Sequence, residues 1–207
     1  MHMISIPQAF YYETLDSTMD EAKRLIQSGK VKNIAYVVSD YQTDGRGTRG
    51  RIWSSPKNSG IYLSIIHLPE NNNYFETTSM YTLACGIACV EAIYEVCNIE
   101  TKIKPVNDIY VNEKKLGGIL VESKLYQSGI ASLVTGIGIN THKEEHNLDR
   151  IPATPISLQE ILSQNTFQNF SKKDLIEKIV LEVCFWYREI FNNKQDIVQS
   201  TWEKCLQ

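Results

Sequence analysis

The chain has 207 residues, with 21 basic and 24 acidic side chains, which gives a formal charge of −3. This acidic balance argues against a general nucleic-acid binder, which would show a basic footprint. No uninterrupted apolar run approaches the ~20 residues that a membrane-spanning helix needs, and the N-terminus carries no visible secretory signal. The sequence therefore predicts a cytoplasmic protein with a single domain over residues 1–207.

The five cysteines indicate free thiols rather than disulfides or metal ligands. Their number is odd and no export signal precedes them, which is typical of proteins in a reducing compartment. Cys85 and Cys89 lie four residues apart in an apolar run, so we expect both to be buried on one helix face. Because the chain has no Cys-x-x-Cys pair, we expect no structural zinc site.

Helices can be placed from their caps and apolar periodicity. The first begins near Thr18, which forms a capping box with Glu21, and it ends at Gly29. The second covers residues 79–97, is mostly apolar and therefore buried, and has Asn98 as its C-cap. The remaining helical segments are a capping box at residues 157–160 and an amphipathic helix at residues 171–191.

Strands are indicated by short runs rich in β-branched and aromatic residues. They are predicted at residues 10–12, 34–38, 60–66, 101–104, 109–111, 116–121 and 130–135. Turns are expected at residues 71–73, 112–114 and 127–129, and the last two are too short for parallel crossovers, so the central strands should pair antiparallel. Because the helices are segregated from the strands, the fold class is α+β.

Residues 44–51, with the sequence Asp-Gly-Arg-Gly-Thr-Arg-Gly-Arg, form the most informative segment, which we call the Gly/Arg loop. Its glycines let the backbone turn tightly and approach a ligand, and its guanidiniums suit carboxylate and phosphate oxygens. Trp53 follows directly. Dense positive charge in an acidic protein favours a small anionic ligand, although a solvated basic loop or an RNA-contacting segment fits the same residues. The loop is not a P-loop, because no Gly-Lys-Ser/Thr follows.

Residues 102–108 form a second candidate segment. Pro105 stops the strand, which leaves Lys104 at the strand end and places Asn107 and Asp108 in the following turn. Strand ends beside turns often carry reacting groups. A surface lysine next to a polar turn is the alternative interpretation.

Two glycine-containing strands complete the set. Gly117 and Gly118 begin one strand and indicate a bulge or a close approach to the backbone. Residues 135–140 have glycine at every second position, which leaves one strand face bare as a floor for a flat ligand. Asn140, at the end of that strand, could reach a phosphate or metal-bound water.

Residues 142–146 match the His-x-x-Glu-His pattern of some zinc peptidases. That chemistry needs the motif on a stable helix, where both imidazoles share a face. Here the motif lies in a polar stretch between a glycine strand and a proline loop, so we do not expect a metal site.

Taken together and in this order, the segments resemble the catalytic domain of biotin protein ligases, the biotin–[acetyl-CoA-carboxylase] ligases. The similar segments are residues 15–18, 41–42, the Gly/Arg loop, and residues 104–108, 115–122, 136–140 and 202–204. The resemblance implies the fold shared with class II aminoacyl-tRNA synthetases and lipoate ligases, a mixed, largely antiparallel sheet flanked by helices. It implies ATP-dependent conversion of biotin to biotinyl-5'-AMP, assisted by Mg²⁺. The biotin would then pass to a lysine of the biotin carboxyl carrier protein of acetyl-CoA carboxylase.

By this resemblance, biotin would be held by Ser17, Thr18, Met19, Gln42, Gly45, Arg46, Gly47, Thr48, Lys104 and Gly118. ATP would be bordered by Arg46, Arg49, Arg51, Trp53, Lys104, Asn107 and Asn140. Lys104 and Arg46 would be catalytic, because the biotin carboxylate and the α-phosphate repel each other. That repulsion at ~4 Å grows from about 1 kcal/mol in water to about 4 kcal/mol at an effective dielectric of 20. No metal ligand is assigned to a protein side chain.

Three departures from the family pattern qualify these expectations. Relatives commonly have Lys-Trp-Pro-Asn-Asp where this chain has Lys-Pro-Val-Asn-Asp at residues 104–108, which puts nucleotide affinity in question. Thr48 stands where many relatives have arginine, so we expect biotinyl-adenylate to be held less tightly. No winged helix precedes the domain, so we expect no DNA partner, and the lack of a long apolar run argues against a membrane partner. Many relatives continue into a small β-barrel, which either is lacking in this lineage or has been removed from this chain.

The sequence leaves the oligomeric state open between a monomer and a homodimer. It also leaves two rival functions. One is a lipoate or octanoate ligase of the same fold, although the Gly/Arg loop favours biotin. The other is a non-catalytic module whose loop binds RNA or an acidic partner.

Overall fold

The computed structural model describes residues 6–69, 78–126, 129–143 and 153–207, which form a seven-stranded sheet with helices packed on both faces. The strands are β1 (Gln8–Leu15), β2 (Ile34–Gln42), β3 (Gly60–His67), β4 (Lys102–Lys104), β5 (Asp108–Val111), β6 (Lys114–Tyr126) and β7 (Gly129–Asn140). The helices are α1 (Thr18–Gln27), α2 (Thr78–Cys97), α3 (Leu158–Ile161), α4 (Gln164–Gln168), α5 (Lys172–Phe191) and α6 (Gln195–Lys204).

The strand order across the sheet is β1-β2-β3-β7-β6-β5-β4. β1 and β2 are parallel, and α1 forms the crossover that a parallel pair requires, whereas the other neighbouring strands are antiparallel. β5 and β6 are joined at Asn112 and Glu113, whose φ angles of 48° and 62° suit a two-residue hairpin turn. The predicted α+β class with a mixed, largely antiparallel sheet is confirmed.

Helices α2 and α5 cover one face of the sheet and form the main core. The side chains of Ala84, Cys85, Ala88 and Cys89 on α2 are 0% exposed, which confirms the predicted burial of this cysteine pair. By length and a mean hydropathy of 1.4, α2 would also suit a membrane span. However, 56% of that stretch is buried inside the fold, which is typical of a core helix.

Helix α1 packs on the opposite face, where it contacts β2, β3 and β7 over a smaller apolar cluster. Gly29 has φ of 68° and ends the helix as predicted. The predicted cap was wrong by one residue: Ser17 is the N-cap, and its Oγ accepts the backbone N–H of Met19. Thr18 is the first helical residue, and its hydroxyl is thereby available for a contact outside the helix.

The C-terminal segment was not predicted. Helix α6 packs against α2, and the chain then runs beside β4. The backbone N–H of Ile103 donates to the Cys205 carbonyl at 2.7 Å, and that of Gln207 donates to the Ile103 carbonyl at 3.1 Å. The segment therefore covers the β4 edge of the sheet. The predicted turn at residues 71–73, most of the turn at 127–129 and most of the His-x-x-Glu-His segment lie outside the described residues.

Candidate active site

A cavity of about 170 Å³ opens on the α1 side of the sheet, between the start of α1, the Gly/Arg loop and strands β3, β6 and β7. The predicted site residues that line it are Ser17, Thr18, Met19, Gln42, Arg46, Gly47, Thr48, Arg51, Trp53, Asn107, Gly118 and Asn140. Three other predicted residues, Gly45, Arg49 and Lys104, do not line it. Sequence reasoning gave no role to Asp108 or Lys115, which do.

Uncharged polar groups of Ser17, Thr18 and Gln42 form one side of the cavity, which we call the polar wall. The backbone N–H of Thr18 donates to Gln42 Oε1 at 2.8 Å, and its hydroxyl donates to the same oxygen at 3.1 Å. Thr18 is 3% exposed and Gln42 is 9% exposed. Because buried polar groups in a fixed geometry recognise matching polar groups strongly, this wall suits an uncharged polar ring.

An ion pair fixes the turn that leads into the polar wall. The Asp16 carboxylate accepts hydrogen bonds from both terminal nitrogens of Arg24, at 2.7 and 2.9 Å. It also accepts one from the backbone N–H of Ser17 at 2.7 Å. Hydrogen bonding to Arg24, and to a smaller extent to Ser17, lowers the pKa of Asp16 to about 2. The carboxylate therefore stays ionised at neutral pH and keeps Ser17 in its capping position.

The Gly/Arg loop folds into a small hairpin. Arg46 pairs with Ile52 in an antiparallel bridge, and the Gly47 N–H donates to the Arg51 carbonyl at 2.7 Å. The chain reverses through Arg49, whose φ is 58°, and Gly50, whose φ is 72°. Glycine carries no Cβ and adopts positive φ without strain, so the glycine content of the loop allows this tight reversal.

Gly45 has a packing role instead of a place in the lining. A Cβ at this position would lie 2.4 Å from the Trp53 carbonyl oxygen and 2.6 Å from Ser55 Oγ. The Trp53 N–H also donates to the Gly45 carbonyl at 2.8 Å. Gly45 thus lets the two ends of the loop approach each other beside the cavity.

Three cations line the cavity, and two of them, Arg46 and Lys115, each face a carboxylate. Arg46 donates to Asp20 of α1 at 2.7 Å, with side chains 34% and 27% exposed. Lys115 Nζ lies 2.7 Å from Asp108 Oδ1, with side chains 16% and 21% exposed. The carboxylates balance these two cations, so an incoming anion would meet charges that are already held in place.

Lys104 is not the lysine of the cavity. It ends β4 as an exposed residue, and its Nζ lies 4.9 Å above the centre of the Tyr110 ring. Lys115 lies near the start of β6, where a shift in register between β5 and β6 at Ile109 and Tyr110 accompanies its ion pair with Asp108. The structure thus places Lys115, and not Lys104, in the lining of the cavity. The signal that could have found it is its position two residues before the glycine pair Gly117 and Gly118.

The predicted glycine floor is present, and an aromatic ring lies on it. Gly118 and Gly138 are opposite each other on β6 and β7. A Cβ at Gly138 would lie 2.4 Å from the Trp53 indole, and one at Gly118 would lie 3.1 Å from it. Lys115 Nζ lies 5.4 Å from the centre of the same ring, within the range of a cation–π interaction. Glycine at both positions therefore makes the space for Trp53.

Two asparagine side chains at the edge of the cavity donate hydrogen bonds to backbone carbonyls. Asn107 Nδ2 donates to the Ile119 carbonyl at 2.7 Å, and Asn140 Nδ2 donates to the Ile156 carbonyl at 3.1 Å. Their amide nitrogens thus tie the 105–107 turn and the segment before α3 to the sheet. Each side-chain carbonyl remains a suitable acceptor or ligand group.

The thiols take no part in the cavity. All five cysteines are free, and none lines it. Burial raises the pKa of Cys97 to about 11 and that of Cys184 to about 12, so neither forms a thiolate at neutral pH. Within the described residues, no cluster of three or more histidine, cysteine, aspartate or glutamate side chains could hold a metal ion.

Residues 11–140 match the biotin/lipoate A/B protein ligase family. The bifunctional ligase/repressor BirA of Bacillus subtilis (strain 168) is 32% identical over 198 residues, which cover 93% of this chain and 58% of that protein. The biotin protein ligase of Aquifex aeolicus in complex with biotin and ATP has a TM-score of 0.78 at 27% identity, covering 96% of this chain and 78% of that one. The Leishmania major biotin protein ligase in complex with biotinyl-5-AMP has a TM-score of 0.75 at 25% identity, covering 97% and 82%.

The chain therefore belongs to the biotin/lipoate A/B protein ligase family, with the fold of the biotin protein ligases. The resemblance inferred from the sequence segments is confirmed at this level. The chain spans 58% of the length of the Bacillus relative.

Proposed function

We propose that this chain is an ATP-dependent biotin–protein ligase that converts biotin to biotinyl-5'-AMP. The observation that carries the proposal is that Lys115 and Arg46 line one small cavity together with an uncharged polar wall. The cations suit a carboxylate and a phosphate, and the wall suits the urea ring of biotin. The solved relatives from Aquifex and Leishmania, which hold biotin with ATP and biotinyl-5-AMP, support this assignment.

In the first step, a carboxylate oxygen of biotin attacks the α-phosphorus of ATP. The new oxygen–phosphorus bond forms as the bond to pyrophosphate breaks, and pyrophosphate leaves. Lys115 and Arg46 would offset the repulsion between the two anions and stabilise the charge that builds on the phosphoryl oxygens. Lys115 would thus take the role that the resemblance gave to Lys104, and Arg46 would keep its own.

The nucleotide would lie against the remaining predicted residues of the lining, Arg51, Trp53, Asn107 and Asn140. Among the described lining residues, Asp108 is the one carboxylate. Mg²⁺ usually binds through one or two carboxylates together with substrate phosphates, so Asp108 fits a role in holding it. When bound, the ion would neutralise phosphate charge.

In the second step, a lysine amine of a carrier domain attacks the adenylate carbonyl, an amide forms and AMP leaves. We propose that the carrier is the biotin carboxyl carrier protein of acetyl-CoA carboxylase, in the cytoplasm. No protein nucleophile is required, which agrees with the burial of Cys85, Cys89, Cys97 and Cys184.

The test is ATP–pyrophosphate exchange with biotin, lipoate and octanoate in turn. Exchange with biotin alone supports the proposal. Exchange with lipoate or octanoate alone would assign the other activity of the family. An absence of exchange with all three, together with steeply salt-dependent RNA binding, would favour a binding module.

A further inference from the structure

A continuous series of buried hydrogen bonds joins β3, the polar wall and the Gly/Arg hairpin. Ser64 Oγ donates to Thr18 Oγ1 at 2.8 Å, and the Thr18 hydroxyl donates to Gln42 Oε1 at 3.1 Å. Gln42 Nε2 donates to Ser55 Oγ at 2.7 Å, and Ser55 Oγ donates to the Trp53 carbonyl at 3.0 Å. None of the four side chains is more than 9% exposed. We call this series the serine relay.

The direction of the serine relay is fixed by groups that cannot reverse. The backbone N–H of Thr18 can only donate, so the Gln42 amide must turn its oxygen towards Thr18. The Trp53 carbonyl can only accept, so the single hydroxyl hydrogen of Ser55 goes there. Ser55 Oγ must then accept, and the amide nitrogen of Gln42 faces it. Two backbone groups therefore determine the orientation of the whole series.

This direction decides what the polar wall offers to a ligand. Thr18 Oγ1 donates one hydrogen and accepts one from Ser64, which leaves it one lone pair. The second amide hydrogen of Gln42 has no acceptor among the described residues. Thr18 and Gln42 both line the cavity, so the wall presents an acceptor and a donor side by side.

We propose that Ser55 and Ser64, which have no assigned role, are positioning residues that set this donor–acceptor pattern and thereby select a cyclic urea over a dithiolane ring. A cyclic urea carries N–H donors and a carbonyl acceptor, whereas a dithiolane carries neither. A ligand that leaves buried donors and acceptors of the site unpaired is strongly disfavoured. The inference rests on the proposed function, because it concerns recognition of biotin at the same site.

The packing around Gly45 shows that the relay has little spare room. A Cβ there would lie 2.6 Å from Ser55 Oγ and 3.0 Å from Gln42 Nε2. The backbone N–H of Gln42 also donates to the Ser55 carbonyl at 3.2 Å, so the two residues are joined twice. The serine relay therefore connects the polar wall rigidly to the base of the Gly/Arg hairpin.

The experiment compares Ser55→Ala with Ser55→Thr and Ser64→Ala, with Ser39→Ala as the matched control. Ser39 is another buried serine, 1% exposed, whose Oγ donates to the Tyr41 carbonyl at 2.7 Å outside the relay. Pyrophosphate exchange gives kcat and the KM for biotin and for ATP. Thermal unfolding of each variant is measured in parallel, so that a loss of stability is recognised.

For Ser55→Ala we expect the KM for biotin to rise about tenfold, with kcat and the KM for ATP within about twofold of wild type. Ser64→Ala should also raise the KM for biotin. Ser55→Thr, which keeps the hydroxyl, should have a KM for biotin close to that of wild type. Equal effects of Ser55→Ala and Ser39→Ala, or an equal rise in both KM values, would overturn the inference while leaving the proposed function intact. A wild-type chain without biotin-dependent exchange would overturn both. If Ser55→Ala does not fold, the KM for biotin of Ser64→Ala, compared with that of Ser39→Ala, tests the inference by itself.

Discussion

Replacing Lys115 with methionine should abolish most of the adenylation activity. The substitution removes the ammonium and keeps a side chain of similar length and apolar character. Lys115 is 16% exposed and lies 2.7 Å from Asp108 Oδ1, so its charge acts in a partly desolvated site. The variant also leaves the Asp108 carboxylate unbalanced in a cavity that must accept two anions.

The size of the effect follows from these charges. Two unit charges ~4 Å apart interact by about 4 kcal/mol at an effective dielectric of 20. Taking about 3–4 kcal/mol as the loss of transition-state stabilisation, and about 1.4 kcal/mol per factor of ten, the rate should fall about 10²–10³-fold. Arg46 and Arg51 remain in the lining of the cavity, which is why the loss should not be complete.

Lys104→Met is the matched control, because it removes the same charge from a strand end outside the cavity. Its exchange rate should fall less than about tenfold, as expected for a more distant and solvent-screened charge. The assay is biotin-dependent pyrophosphate exchange at saturating ATP, with circular dichroism to confirm folding of both variants. If Lys104→Met loses activity while Lys115→Met keeps it within tenfold of wild type, the assignment of the cavity cation is wrong.

Three further outcomes are expected. Thr48→Arg should reduce the release of free biotinyl-adenylate measured without carrier, and unchanged release would count against loose retention. Gly138→Ala places a Cβ 2.4 Å from the Trp53 ring, so the KM for ATP should rise about tenfold through displacement of the indole; an unchanged value would contradict it. Burial lowers the pKa of His67 to about 4, from about 6.5. Between pH 7 and pH 5, His67 therefore becomes protonated in the unfolded chain but stays neutral in the native state. The free energy of unfolding should fall by about 2 kcal/mol over this range. Urea unfolding should show this slope in wild type and not in His67→Leu.

Much of the fold could be predicted because local chemistry determines it. The apolar run of α2 and its cap at Asn98, with φ of 53°, were clear in the sequence, as was the positive φ at Gly29. Helix α6 was not predicted, because no capping side chain marks its start at Lys194 and, of its residues, only Val198 is fully buried. The one-residue error at the α1 cap has a tertiary cause, since Thr18 makes its bond to Gln42, 24 residues away.

The sequence named most of the polar residues that line the cavity, whereas Lys115 was found only in the structure. Sequence spacing places Lys104 at a strand end, which is correct, yet it does not show whether that end faces the cavity. Lys115 reaches the cavity near a register shift between β5 and β6. A shift of one residue exchanges the two faces of a strand, so alternation along a single strand cannot decide which lysine faces a ligand.

The glycine floor likewise shows what a sequence pattern can predict about the site and what it leaves open. The alternate glycines on β7 indicate that a flat group packs against that face of the sheet. The reason is steric, because a Cβ at Gly138 would overlap a ring. They do not say which flat group it is. In the folded chain that group is the Trp53 indole, brought there by a hairpin more than 80 positions earlier in the sequence. The absence of a side chain therefore defines the shape of the gap, whereas its occupant depends on a loop whose position only the complete fold determines.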